Sequence, residues 1–544
     1  MLKTFGFVLS FTFFAFSVSV QAAAPVVLGN SKAPKGGTLI LNLSSEPTTI
    51  NPITSTDLPA QQVQSFIVES LMDRNADTYE FEPAIAESYK ISDDGKVFTF
   101  KLRDGVTWHD GKPVTVEDVK FSFDVIFSDK YTTAHMRPYY EGIEKVEIVD
   151  AKTVKFTTKD KYFKNFEVAA GLSVWPKHIY EDAEKGKNLN RELIGTGPYK
   201  LEKYEKGKRI VLKRNEKWWG ASLPALKSQH NFGEIVMRFV TENNVAFEML
   251  KKGDIDYEEL TPEYYTEKAV GPEWGKKVLK VKTVNKGPKP YGFIGWNLTR
   301  PIFQDKKVRI ALTHLVNRRL MIQKFRYGMA DPATGPWHLA SDYASKKVKP
   351  IEFDPKKALA LLKEAGWEDT DKDGVLDKVI DGKKTRFEIS VYTANPDALK
   401  YLTVFKEDAK QAGIVIDTKQ LEWNSFVKLL DERKFDGMML SWGAGSVDLD
   451  PKQIWHSASA VEKGSNFIGY KNPEVDKLID EARVTMDKKK RIPILQKVYE
   501  VIAADAPYTF LFNDKNTLYG HTAKTKKPVD TFKYAVGTAY WWTE

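Results

Sequence analysis

Residues 83–123, PAIAESYKISDDGKVFTFKLRDGVTWHDGKPVTVEDVKFSF, restrict the fold more than any other stretch, because every local signal in them agrees. Ser92-Asp93-Asp94-Gly95 reads as a turn in which Gly is free to take a positive φ. Phe98, Phe100 and Leu102 alternate with Thr99 and Lys101, the period of a strand with one buried face. Asp110-Gly111-Lys112-Pro113 is a second turn. Thr115 then offers a helix N-cap, and Glu117 and Asp118 fall in the first turn, where the helix dipole favours anions. Val119, Phe123 and Ile126 complete an apolar face at helical spacing.

Strand and helix signals alternate along the remaining chain, so the class is mixed α/β. Leu39 to Leu43 form an apolar strand that runs into the Pro-punctuated loop Glu46-Pro47-Thr48-Thr49-Ile50-Asn51-Pro52. Gly195-Thr196-Gly197-Pro198-Tyr199 opens another strand block. Residues 234–240 and 291–298 read as strands, and 305–327 as one helix. Gly253 is the natural C-cap of a short helix over 244–252. Asp354-Pro355 and Asn472-Pro473 are two copies of one helix start, a cap followed by Pro at the first helical position. Ala358, Leu361, Leu362 and Ala365 follow the first copy, and Val475, Leu478, Ile479 and Ala482 the second, as core stripes.

Residues 1–22 read as a secretory signal peptide: one charge at Lys3, a short apolar run, and small residues at the end of Val20-Gln21-Ala22. No later segment reaches the roughly 20 apolar residues of a spanning helix. Export and a periplasmic location are therefore expected. The 544 residues contain no Cys, which removes disulfides, thiol nucleophiles and Cys metal sites, and leaves no Cys for a lipid tether. A chain of this length divides into two or more domains. The net charge of +9 is spread among 73 acidic residues, a solvated surface rather than a nucleic-acid patch.

No catalytic constellation stands out. The eight His show no metal spacing, and neither a Gly-x-Ser-x-Gly elbow nor a phosphate-cradling loop is present. Ser425-Phe426-Val427-Lys428 matches Ser-x-x-Lys, but it sits in an amphipathic run and reads as plain helix. Residues 369–377, DTDKDGVLD, resemble the start of a calcium loop, with carboxylates at alternate positions and Gly at the sixth. The twelfth position is Ile380 where a bidentate Glu is needed, and an acidic hairpin turn is the competing reading. The strongest ligand-site candidate is residues 440–448, LSWGAGSVD, where an apolar strand ends in a Gly-rich loop carrying Trp442. Gly lets backbone approach a ligand and exposes N–H and C=O groups to an extended chain.

Several segments resemble one family closely: the extracellular solute-binding proteins of the peptide/nickel type, which feed ABC importers. The resemblance is carried by the 83–123 block, by Gly195-Thr196-Gly197-Pro198-Tyr199, and by Asn297-Leu298 with Pro301-Ile302-Phe303-Gln304-Asp305. It continues in Leu361 to Trp367 and in Gly464-Ser465-Asn466-Phe467 with Tyr470 to Asp476. It implies a fold like the type II periplasmic binding proteins: two lobes around a hinged cleft, with an extra domain inserted in lobe I. On this chain lobe I is expected over 25–56, 190–284 and 506–544, the inserted domain over 57–189, and lobe II over 285–505. The Gly/Pro cluster at Gly287-Pro288 and Pro290 supports the joint near 285.

The resemblance also places ligand contacts. Trp442, Gly443, Ala444, Gly445 and Asp448 line the expected cleft, as do Thr56 and the strand end Thr393-Ala394-Asn395, with Glu46 as an anchor for a cation. In peptide-binding relatives an Asp three residues after the Trp grips the α-ammonium of the peptide. Here that position is Gly445. Either Asp448 or Asp450 reaches in from a shifted position, or the ligand lacks a free amine. The expected function is peptide capture by lobe closure and delivery to a membrane-embedded permease, as a monomer, with no cofactor, no bound metal and no nucleic-acid partner. A non-peptide solute such as an oligosaccharide is the alternative cargo, and an exported hydrolase the distant one.

Overall fold

The computed structural model describes residues 28–133, 135–443, 445–461 and 464–544, apart from the side chain of Asn424. The expected signal peptide therefore lies outside the described residues, as does Ala444. Two large sheets and one smaller sheet organise the chain.

The seven-stranded sheet runs in the order Val278–Thr283, Thr517–Thr522, Tyr257–Glu259, Thr38–Leu43, Glu234–Phe239, Arg209–Arg214, Tyr199–Glu205. Its core gathers Leu39, Leu43, Ile210, Leu212, Ile235, Met237 and Trp541. The six-stranded sheet runs Ala330–Pro332, Tyr508–Asp514, Tyr291–Trp296, Gly437–Trp442, Glu388–Thr393, Val415–Gln420. The chain passes between these sheets twice, from Thr283 to Tyr291 and from Asp514 to Thr517. Expectation joined the segment from 506 onward to lobe I. Instead Tyr508–Asp514 pairs with Tyr291–Trp296, because its near-continuous apolar run is buried on both faces in the interior of the six-stranded sheet. The return crossing thus lies at Lys515-Asn516.

The smaller sheet is antiparallel, Ala86–Ile91, Val97–Leu102, Thr153–Thr158, Ile143–Asp150. Its strands follow the alternation read from the sequence: Phe98, Phe100 and Leu102 are buried, and each buried Phe contributes about 2–3 kcal/mol. Gly95 takes φ +70° in the preceding turn. Thr115 caps the helix Val116–Asp124 and forms a reciprocal capping box with Asp118. The separate core of this unit takes in Ile53, expected in lobe I, and then runs from Leu71 onward. The helix Leu58–Gln64, expected within the inserted domain, buries Val63 in the core of the seven-stranded sheet instead.

Other helix starts follow their caps. Pro355–Glu364 is capped by Asp354 and Pro473–Val484 by Asn472. The stretch expected as one helix over 305–327 is two, Lys306–His314 and Arg318–Phe325. The break is local: the Asn317 side chain accepts a 3.1 Å hydrogen bond from the Leu320 N–H, starting a second helix. Ser425 and Lys428 lie on the helix Trp423–Asp431, whose Phe426 is fully buried, as the plain-helix reading requires.

Candidate ligand-binding site

The residues singled out from sequence lie on different elements and do not act as one set. Gly443 and Gly445 are exposed, with open space where a Cβ would stand, and Gly445 sits at φ +65°. Trp442 is half-buried. Its ring lies parallel to Phe467 (centroids 5.8 Å apart) and Phe293 (6.1 Å), and its indole N–H donates to the Tyr508 hydroxyl at 3.4 Å. These contacts serve packing of the six-stranded sheet.

Asp448 and Asp450 are both engaged internally. The Tyr343 hydroxyl donates to Asp448 at 2.7 Å, with Lys488 Nζ at 3.0 Å and the Arg491 guanidinium at 3.9 Å. Burial pushes the Asp448 carboxyl up, but Tyr343, Lys488 and Arg491 outweigh it and hold it below the usual carboxylate range. Asp450 accepts from the Tyr162 hydroxyl at 2.6 Å and pairs with Arg483. Neither presents the unpaired carboxylate that an ammonium clamp needs.

The other expected contacts divide between local and open positions. Glu46 accepts from the Tyr204 hydroxyl at 3.1 Å and from the Gly207 N–H at 3.0 Å, so each of its oxygens is engaged. Thr393 is fully buried and its hydroxyl accepts from the Asn395 N–H at 3.1 Å. Asn395 in turn caps the short helix Pro396–Ala398, while Ala394 is half-buried against the core. Thr56 is exposed.

The concave feature at the joint is one that sequence reading missed. A small open pocket is lined by Lys286, His338, Asp342, Tyr343, Val447, Lys488 and Tyr534, among others. These residues come from the first crossing, the loop after Pro332, the loop after Trp442, the helix Lys488–Asp505 and the C-terminal segment. No spacing in the sequence relates them; only Val447 fell within a segment singled out beforehand. Lys289 Nζ donates to the Thr517 hydroxyl at 2.9 Å, tying the two crossings together beside this pocket.

A second knot joins the inserted unit to the seven-stranded sheet. Glu69 accepts from Thr196 Oγ1 (2.7 Å), Trp218 Nε1 (2.9 Å) and Trp219 Nε1 (2.7 Å). Burial pushes its carboxyl up against the opposing pull of these three donors.

Among the described residues, one cluster of three or more metal-ligating groups occurs: Asp369, Asp371 and Asp373, all exposed. Lys384 Nζ lies 2.7 Å from Asp371 and 3.2 Å from Asp377, and Arg386 pairs with Asp373. The hairpin strands Asp377–Ile380 and Lys383–Arg386 thus bring cations to the acidic turn, the arrangement of a self-neutralised hairpin.

Comparison with known proteins decides the family. The sequence profile of the bacterial extracellular solute-binding proteins, family 5, matches residues 80–464. The chain belongs to this family. Among curated members of family 5 it is similar to the oligopeptide-binding protein AppA of Bacillus subtilis, 30% identical over 89% of this chain and 88% of AppA. The solved structure of that AppA, in complex with a nonapeptide, superposes with a TM-score of 0.74, covering 94% of this chain and all of AppA. NikZ from Campylobacter jejuni, solved with Ni(L-His), has a TM-score of 0.72 at 25% identity over 93% of this chain and 99% of NikZ. The architecture is that of the type II periplasmic binding proteins.

Proposed function

We propose that this family 5 protein is the periplasmic receptor of an ABC importer, capturing peptides between its two large lobes and handing them to a membrane permease. The observation that carries this reading is the 30% identity to AppA across nearly the whole of both chains, together with the nonapeptide held in AppA's own structure. The two crossings between the large sheets, both short and one rich in Gly and Pro, suit a hinge. A ligand that touches both lobes gains contacts only when they close, and so shifts the population toward the closed form. Peptide main chain would pair with the open backbone around Gly443 and Gly445.

The reading includes export through residues 1–22 and work as a monomer, without cofactor, nucleic acid or catalytic turnover. Candidate contacts are Gly443, Ala444, Gly445 and Thr56, with Trp442, Thr393, Ala394 and Asn395 shaping the wall and Glu46 and Asp448 bracing it. Native mass spectrometry of protein purified from an exporting host tests the cargo: co-purified peptide masses support the reading, and a sugar mass in their place overturns it. Small-angle scattering tests the motion, since an unchanged radius of gyration on adding the captured ligand would exclude closure.

A further inference from the structure

We infer that Tyr162 and Phe163 form a latch that holds the inserted unit against the six-stranded lobe without help from a ligand, so that the protein rests closed and must release the latch to admit its cargo. This rests on the two-lobe hinge reading above and adds the device that sets its resting state.

The path of the chain decides which parts can separate. The strands of the inserted unit, from Met72 to Thr158, lie in the chain between Thr38–Leu43 and Tyr199–Glu205, and both of those belong to the seven-stranded sheet. Noncovalent ties run the same way. The Gly197 N–H donates to the Ile67 carbonyl and the His109 backbone N–H to the Gly195 carbonyl, both at 2.9 Å, beside the Glu69 knot. The chain makes no direct passage from the unit to the six-stranded sheet.

The segment after Thr158 nevertheless reaches that lobe. Tyr162 donates to Asp450, and Asp450 also pairs with Arg483. The Phe163 N–H donates to the Arg483 carbonyl at 2.9 Å, and Ser446 Oγ to Glu167 at 3.3 Å. Arg483 lies in the last turn of the helix Pro473–Val484, and Arg491 on the helix Lys488–Asp505. Both helices pack into the core beside the six-stranded sheet, through Val475, Ile479, Leu495 and Tyr499 with Phe293 and Phe510.

Phe163 is the independent sign of a contact between bodies. It is 8% exposed, yet among the described residues it joins no hydrophobic core on either side. Its cover is the Arg491 guanidinium, 3.9 Å over the ring, just as Arg483 lies 4.1 Å over Tyr162. Both rings lose that cover when the lobes part. The contact consists of hydrogen bonds, an ion pair and guanidinium–aromatic pairs rather than interdigitated apolar side chains, the make-up of an interface that can come apart. Arg491 also stands 3.9 Å from Asp448 and 3.5 Å from the hydroxyl of Tyr343, a wall of the pocket at the joint. It therefore couples the latch to the cleft.

Two measurements on protein refolded without ligand test this, whatever the cargo is. Hydrogen exchange read by mass spectrometry follows the Phe163 amide, which the Arg483 carbonyl holds from across the gap, against the strands 97–102 and 153–158 of the same unit. Tyr162→Phe is expected to speed exchange over 159–166 at least about tenfold and to leave the two strands unchanged. No acceleration, or equal acceleration in the strands, would overturn the latch. The second measurement is the distance between spin labels on Lys130→Cys in the inserted unit and Lys477→Cys in the six-stranded lobe, the only thiols in a chain without Cys. The otherwise unaltered protein is expected to show one short-distance population, and Tyr162→Phe to raise the ratio of a longer one at least about tenfold. A ligand-free protein already resting mostly at the longer distance, or a variant with unchanged distances, would overturn the latch and leave peptide capture standing. A latch seen in both measurements in a protein that captures no peptide would sink the cargo reading alone.

Discussion

The Tyr162 hydroxyl donates a 2.6 Å hydrogen bond to Asp450, and through it the inserted unit grips the loop that follows the strand Gly437–Trp442. The grip is broader than one bond. The Arg483 guanidinium lies 4.1 Å over the Tyr162 ring, the Phe163 N–H donates to the Arg483 carbonyl at 2.9 Å, and Arg491 lies 3.9 Å over Phe163. Ser446 Oγ donates to Glu167 at 3.3 Å. The Gly-rich loop is thus anchored at its far end while Gly443 and Gly445 stay open.

Tyr162→Phe removes the hydroxyl donor and leaves Asp450 paired with Arg483. The loss expected is about 1.5–3 kcal/mol, the range for a hydrogen bond to a charged group. Urea unfolding followed by circular dichroism measures it, and an unchanged midpoint would mean the contact contributes nothing.

Asp448→Asn leaves Arg491 buried without its counter-charge and is expected to cost about 3 kcal/mol at pH 7. The folded-state pKa of Asp448 is depressed, so its contribution is complete above its unfolded value near 4 and is lost as pH falls through the lower folded value. The stability gap between wild type and variant should therefore be flat from about pH 5 upward and shrink below about pH 4. A gap that persists undiminished at pH 2.5 would contradict this assignment.

Gly445→Asp places a carboxylate at the position where the family resemblance implies an amine-binding Asp. The left-handed backbone at φ +65° sets the cost at about 1 kcal/mol, and no neighbouring atom stands in the way. The variant is expected to favour peptides with a free N-terminus over their acetylated forms by about tenfold relative to wild type. Paired titrations with one peptide and its acetylated form check it.

Calcium should not bind the acidic turn with physiological strength. Lys384 and Arg386 already satisfy Asp371, Asp373 and Asp377, and an entering ion must displace them. Equilibrium dialysis at millimolar calcium is expected to show no saturable uptake, whereas Lys384→Gln with Arg386→Gln should raise uptake by freeing the carboxylates.

Much of the fold was legible before any coordinates. Thr115, Asp354 and Asn472 cap their helices, Gly95 and Gly253 take positive φ, and Phe98 and Phe100 point into a core. Of the failures, one is local, since Asn317 splits a helix by accepting from Leu320, and one is long-range, since Tyr508–Asp514 follows its sheet neighbour rather than its sequence neighbour.

The site was far less legible. Glu46, Asp448 and Asp450 looked like free anchors because a carboxylate gives no sign in sequence of whether it is already paired. The partner of Asp450 is Tyr162, 288 positions away. The pocket beside Val447 needs Lys286, His338, Lys488 and Tyr534 at once, and nothing along the chain relates them.

Caps, turns and alternating faces are satisfied within a few residues, so composition and spacing along the chain determine them and give away the α/β class. The state of charge in the cleft is different in kind. It depends on which side chains long-range packing brings within hydrogen-bond reach, and an ion pair stabilises only where both partners are placed and desolvated together. Folding, not local order, therefore chose which carboxylates of this chain are occupied and which cations face the joint.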